Sequence, residues 1–211
     1  MSPRYDYLRD PQEIYRRSFE TLRAESSLQD LAADIATVAE RLVHACAMPD
    51  IVPELRYHPA LAECAAGALH AGAPILVDAR MVAEGITRRF LPADNVVLCT
   101  TGAPEVPALA QRLATTRSAA AVELWRDHLP GSVVAIGNAP TALFHLLEML
   151  AEGAPRPAAI LAFPVGFIGA AESKQALIEA GLDVPYITLL GRRGGSALAA
   201  AAVNALAGLE P

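Results

Sequence analysis

Hydrophobic and polar positions change period along this chain, and from residue 74 onward the change is regular. Five short runs, PILVDA (74–79), NVVLCT (95–100), SVVAI (132–136), AAILAF (158–163) and YITLL (186–190), are β-branched or aliphatic with little polar alternation. Such runs read as strands buried on both faces. Glycine-bearing turns and apolar-periodic helices follow those of the C-terminal third. This rhythm predicts parallel strands joined by crossover helices. The expected fold is α/β, a three-layer, doubly wound, mainly parallel sheet of about five strands with helices on both faces, in a single domain over residues 1–211. Turns that follow strands lie at the carboxyl edge of such a sheet, where open α/β folds bind ligands. The turns at Gly137–Thr141, Phe163–Phe167 and Gly191–Ser196 are expected to meet there around something anionic or polar.

The first half is mostly helical. Pro11 stands at a first helical position after Asp10 as N-cap and opens a polar helix to about Glu25. Its apolar stripe (Ile14, Leu22) is weak, so it lies on the body or on a second subunit. Asp30 is the expected cap of a second helix, Leu31 to about Ala47. Leu31, Ile35, Val38, Leu42 and Ala45 form one stripe on it. At ~100° per residue His44 falls on nearly the opposite side, and Arg41 neighbours it one turn earlier. A helix C-terminus attracts positive charge, which suits His44 as a proton donor. Further helices are expected over 58–71, 81–87 and 108–127, the last bearing Arg117 and Trp125.

The turns carry candidate chemistry. Gly137-Asn138-Ala139-Pro140-Thr141 offers a helix N-terminus to a carboxylate or phosphate, or is an ordinary turn with Asn138 as N-cap. Gly191-Arg192-Arg193-Gly194-Gly195-Ser196 joins flexible glycines to two guanidiniums, with Ser196 placed to cap the next helix. Its alternative is a solvated basic loop. Neither matches GxGxxG, and no GxxxxGK[ST] occurs, so nucleotide binding lacks its usual signature. Asp78, at the end of the first run, is open to a structural role. No nucleophile–base arrangement is legible, and His58, His70, His128 and His145 stand singly, so neither metal nor cofactor is expected.

Composition narrows the partners. A net charge of −6 and pI of about 5.4 argue against a nucleic-acid partner. Any anion site must be built locally from arginines. Cys46, Cys64 and Cys99 form no CxxC pair and read as small core residues in a reducing compartment. The beginning MSPRYDYLRDPQE has no apolar signal core. The uncharged stretch Leu129–Leu147 is broken by Pro130, Gly131, Gly137 and Pro140, so it is no membrane span. A cytoplasmic protein is expected.

Several segments together resemble a known family. IGNAPTALFHLLEML, FPVGFIGAAESK, GRRGGSALAAAAVNAL and RLVHACAMPD are similar to the precorrin-8X methylmutases of cobalamin biosynthesis. RSFETLRAE, PILVDARMVAEGI and TRSAAAVELW extend the likeness over essentially the whole chain. The resemblance implies an isomerase that moves a methyl group from carbon 11 to carbon 12 of precorrin-8X, giving hydrogenobyrinate. It implies His44 as acid/base and substrate contacts at Ser18, Arg41, Thr87, Arg117, Gly166, Arg192, Arg193 and Gly194. After the histidine stands ACAM, where a glycine is expected. The same surfaces fit a non-catalytic tetrapyrrole carrier, or the cobalt-precorrin-8 mutase of the anaerobic pathway. Because the first helix and the His44–Arg41 face both lie off their helices' core stripes, a homodimer with shared active sites is expected.

Overall fold

The computed structural model describes residues 5–210. Six strands build one sheet: β1 (Leu55–Tyr57), β2 (Ile75–Val77), β3 (Val97–Leu98), β4 (Val133–Ile136), β5 (Ala159–Ala162) and β6 (Tyr186–Leu189). Their order is β1-β6-β5-β4-β2-β3, parallel throughout except for the antiparallel β1–β6 pair. The five expected strands are all present. The edge strand β1 was not foreseen, because Leu-Arg-Tyr is too short to show a period; it is recognisable only through its pairing, Leu55 opposite Leu189.

The helices are α1 (Pro11–Glu25), α2 (Ala33–Cys46), α3 (Leu61–His70), α4 (Arg80–Gly85), α5 (Val106–Arg112), α6 (Arg117–Glu123), α7 (Pro140–Ala151), α8 (Ala170–Glu179) and α9 (Ser196–Leu206). Alternate strand residues serve opposite layers, as the period of two requires. Val133, Ala135, Ala159 and Leu161 pack with α2, α3, α4 and α9. Val134, Ile136, Ile160 and Ala162 pack with α6, α7 and α8. This accounts for the unbroken apolar runs: neither face of the central strands meets water.

Local chemistry corrects several expected boundaries. The helix expected over 108–127 is two helices, α5 and α6. Ala114 between them takes a left-handed φ of 49°, and the Thr116 hydroxyl accepts the Ala119 N–H at 3.2 Å to cap α6. Asp30 does not cap α2, which begins at Ala33 with no side-chain cap. The third helix starts three residues later than expected, because the His58 ring accepts the Ala60 N–H and holds a turn first. The Asp10 cap and Pro11 start of α1 hold: the Asp10 carboxylate accepts the Gln12 N–H at 2.9 Å.

At the carboxyl edge the three turns meet. The Val165 N–H donates to the Asn138 carbonyl, Gly195 N–H to Phe163, and Gly166 N–H to Arg192. Two glycines make the approach possible. A Cβ on Gly137 would lie 2.7 Å from Cα of Ser196, and one on Gly194 would lie 2.4 Å from the Phe163 carbonyl oxygen.

Candidate functional site

The first of these turns is already filled by the protein itself. Asp78, at the end of β2, is buried, and its carboxylate accepts the N–H groups of Gly137 (2.8 Å), Asn138 (3.0 Å) and Ala139 (2.7 Å). The anion at the N-terminus of α7 is therefore Asp78, and Asn138 is not the cap. Burial pushes the Asp78 carboxyl up from its ordinary range, against the pull of the three amides. A ligand carboxylate must go elsewhere along the edge.

His44 lies in the last turn of α2, exposed, and stacks on Phe19 of α1 with ring centroids 4.8 Å apart and planes 24° apart. Directly after it Ala47 closes the helix in left-handed conformation at φ 54°, its N–H on the Val43 carbonyl. A glycine suits that position better. The alanine adopts it nonetheless, so the helix ends there.

Two clefts open on either side of the imidazole. One, about 530 Å³, lies between α1 and the end of α2 and is lined by Ile14, Arg17, Ser18, Val43 and His44. The other, about 460 Å³, lies between α2, α4 and α9 and is lined by Arg41, His44, Gly85, Phe90 and Asn204. Both are of small-molecule size. Among the described residues only His44 faces both. Ser18, Arg41 and His44 thus come together within one chain. The Arg41 guanidinium lies 5.2 Å from the Phe19 ring centre and 5.8 Å from that of Tyr15.

Thr87 does not itself line the second cleft but is bonded to Asn204, which does. Its N–H donates to the Asn204 side-chain oxygen at 2.8 Å, and the Asn204 amide donates to the Gly85 carbonyl at 3.0 Å. This clamp joins the end of α4 to α9. The basic turn reaches the same neighbourhood from the sheet: Arg193 bonds Asp50 at 2.6 Å, six residues beyond His44. Arg192 lays its guanidinium over exposed Phe167, 5.3 Å from the ring centre. Gly166 (φ 145°) and Gly194 complete the meeting of the two turns. Ser196 does not cap α9; Gly195 stands at that position without a side-chain bond. Arg117 is apart from His44 within the chain. It stands exposed at the first residue of α6, in a separate concavity with Pro107, Gln111 and Thr115.

Some residues at the site carried no sequence signal of their own. Phe19 interrupts a polar helix, yet it is buried and supports the imidazole. Asp50 and Asn204 look like ordinary polar residues until the fold brings them to Arg193 and Thr87. Lys174 is the least expected, a lysine of α8 with no exposed surface. His145 is a packed residue of α7, its side chain mostly buried and its ring 2.7 Å from the Glu123 carboxylate. Burial opposes charge on Glu123, but hydrogen bonds from Arg126 and His145 hold its carboxyl below the ordinary range. The three cysteines are free and half-buried. Among the described residues no group of three or more His, Cys, Asp and Glu is arranged to hold a metal ion, and no helix is long and apolar enough to cross a membrane.

Comparison with known proteins gives one family. The model described as precorrin-8X methylmutase matches residues 13–209. A precorrin-8X methylmutase of Pseudomonas aeruginosa is 61% identical over 202 residues, covering 96% of this chain and 97% of its own length. One from Sinorhizobium sp is 56% identical, with 97% and 98% covered. A cobalt-precorrin-8 methylmutase of Priestia megaterium is 33% identical, with 93% and 87% covered. The solved structure of a precorrin-8x methyl mutase from Thermus thermophilus superposes with a TM-score of 0.83 at 39% identity, covering 93% of this chain and 94% of that one.

Proposed function

The chain belongs to the precorrin-8X methylmutase family and is an isomerase of corrin-ring biosynthesis, and from that premise we propose that it moves the methyl group from carbon 11 to carbon 12 of precorrin-8X, with His44 as the acid/base. The observation that carries this reading is the position of His44. Among the described residues it is the one side chain common to the two clefts, held by Phe19 and flanked by Ser18 and Arg41. A methyl shift within a conjugated macrocycle conserves every atom. The chain must place or remove a proton at the right moment and hold the ring still. An imidazole, which can both accept and donate a proton, is suited to the first task. Ser18, Arg41, Thr87, Arg117, Gly166, Arg192, Arg193 and Gly194 are proposed to hold the ring and its carboxylates. The guanidinium of Arg193 already has Asp50 as partner, so Arg192 is the freer of the two for a substrate carboxylate.

The metal-free substrate is favoured over its cobalt form, because the relatives named for the former are 61% and 56% identical and one named for the latter is 33%. A homodimer with shared sites and a cytoplasmic location belong to the same reading. The free cysteines are compatible with a reducing compartment.

The test is incubation of the purified protein with each substrate form while the visible spectrum is followed for the corrin chromophore. His44→Ala should fold normally and lose roughly 10²–10⁴ in turnover, while His145→Ala should cost stability rather than turnover per folded molecule. Undiminished turnover in His44→Ala would remove the histidine from the chemistry. Retention of product by the wild type with no turnover would leave a carrier in place of an enzyme.

A further inference from the structure

Lys174 is buried to 0% exposure in α8, and its Nζ donates to the carbonyl oxygen of Arg193 at 2.7 Å. Among the described residues no carboxylate lies within ion-pair distance of it. An ammonium taken out of water without a counter-charge is costly to the fold. Burial accordingly holds the Lys174 amine down at about 8. Its folded-state value is below that of the unfolded chain, so the cost is complete below about pH 8 and fades as the pH rises toward the ordinary lysine range. A methionine of similar length would fill the same space without that cost. What the lysine adds is a grip on one carbonyl.

That carbonyl belongs to the turn that leads into α9, whose Ala197 lines the second cleft. Three successive tethers fix the turn between β6 and α9: Gly166 N–H to the Arg192 carbonyl, Lys174 to the Arg193 carbonyl, and Gly195 N–H to the Phe163 carbonyl. The middle one alone is a side chain, and it is charged. Gly191 and Gly195 stand at φ 73° and 127°, where other residues rarely go, so the turn has no strong conformational preference of its own. Gly194 is pressed against the Phe163 and Pro164 carbonyls, which limits movement on that side only. From this short segment Arg192 projects over Phe167, Arg193 reaches Asp50, and the N-terminus of α9 begins beside the cleft holding His44.

We propose that Lys174 is a positioning residue of the isomerase: by holding the Arg193 carbonyl it fixes the turn that aims Arg192 and the start of α9 at the carboxylates of the corrin substrate. The proposal rests on the reading that this edge binds the macrocycle. Lys174 touches no substrate. It acts through the turn, and the Arg193–Asp50 pair carries the same placement to the segment after His44.

The experiment compares wild type, Lys174→Met, Arg192→Ala and the double variant, using hydrogenobyrinate as the binding probe and precorrin-8X for turnover. Lys174→Met should melt at or above the wild-type temperature at pH 7. Its product Kd and its KM should each rise about tenfold, while kcat falls less than about threefold. The double variant should bind little worse than the weaker single one, because both changes remove the same aimed arginine. Three outcomes overturn the proposal: unchanged Kd and KM in Lys174→Met, fully additive losses with Arg192→Ala, or loss of folding with normal activity in the molecules that do fold. Failure of the wild-type protein to bind hydrogenobyrinate at all would instead sink the reading of the site, and so is told apart.

Discussion

At the scale of single residues, the carboxyl edge is governed by groups that satisfy the backbone before any ligand arrives. Asp78 is 2% exposed and closes three amides at the start of α7. Replacing it by asparagine keeps the shape but turns an N–H₂ group toward N–H donors, leaving at least one buried donor unpaired. Asp78→Asn should therefore lose about 2–4 kcal/mol of stability in urea unfolding. A loss below about 0.5 kcal/mol would mean that the cap contributes little. The role of Asp78 was invisible in the sequence because its partners lie some sixty positions away. An aspartate ending a strand is equally consistent with catalysis, metal binding or a cap, and only the register of β2 beside β4 decides among them. The exposed face of His44, as distinct from its role, is legible for the opposite reason. It follows from spacing within one helix, which sequence records directly.

At the scale of elements, strands were more readable than helix ends. Buried on both faces, β4, β5 and β6 announce themselves by composition alone, whereas β1 depends on a neighbour and α5–α6 break at an alanine that no propensity marks. The helix α1 combines both cases. Its cap and first residue are local and follow from Asp10 and Pro11, but its anchorage is not local. Phe19 and Leu22 are its only buried side chains, and Arg23 bonds Glu40 of α2 at 2.7 Å on an exposed surface. An exposed pair of that kind contributes at most about 1 kcal/mol, so docking rests on the two apolar residues. Phe19→Ala should cost about 3 kcal/mol at most, because the ring sits at the margin of the core, and should do so locally. Hydrogen exchange is expected to accelerate over α1 while the sheet keeps its protection. Turnover should fall with it, since Ser18 and the support of the His44 ring leave together. Unaltered exchange in α1 would show that other contacts hold the helix.

At the scale of the whole molecule, the distribution of the site residues bears on assembly. A separation of Ser18 and Arg41 from His44 across two subunits is not needed, because one chain brings the three together around two clefts. Arg117 is the outlier, standing in its own concavity on α6. Beyond β5 the chain also exposes Phe167 and Ile168 at 87% and 91%, an unusual investment of apolar surface in a loop beside the site. A two-fold partner is the commonest way to cover such surface, and it lets Arg117 of one chain serve the His44 of another. The proposed homodimer therefore has a sharper test than its mass. His44→Ala and Arg117→Ala chains, each nearly inactive at low substrate, are unfolded together, refolded and assayed as a mixture. With random pairing about half the dimers are mixed, and each mixed dimer has one of its two sites intact. About a quarter of the wild-type activity should return. If mixed dimers form, as shown by a mass tag on one chain, and no activity returns, then Arg117 and His44 act within the same chain and the site is not shared through them.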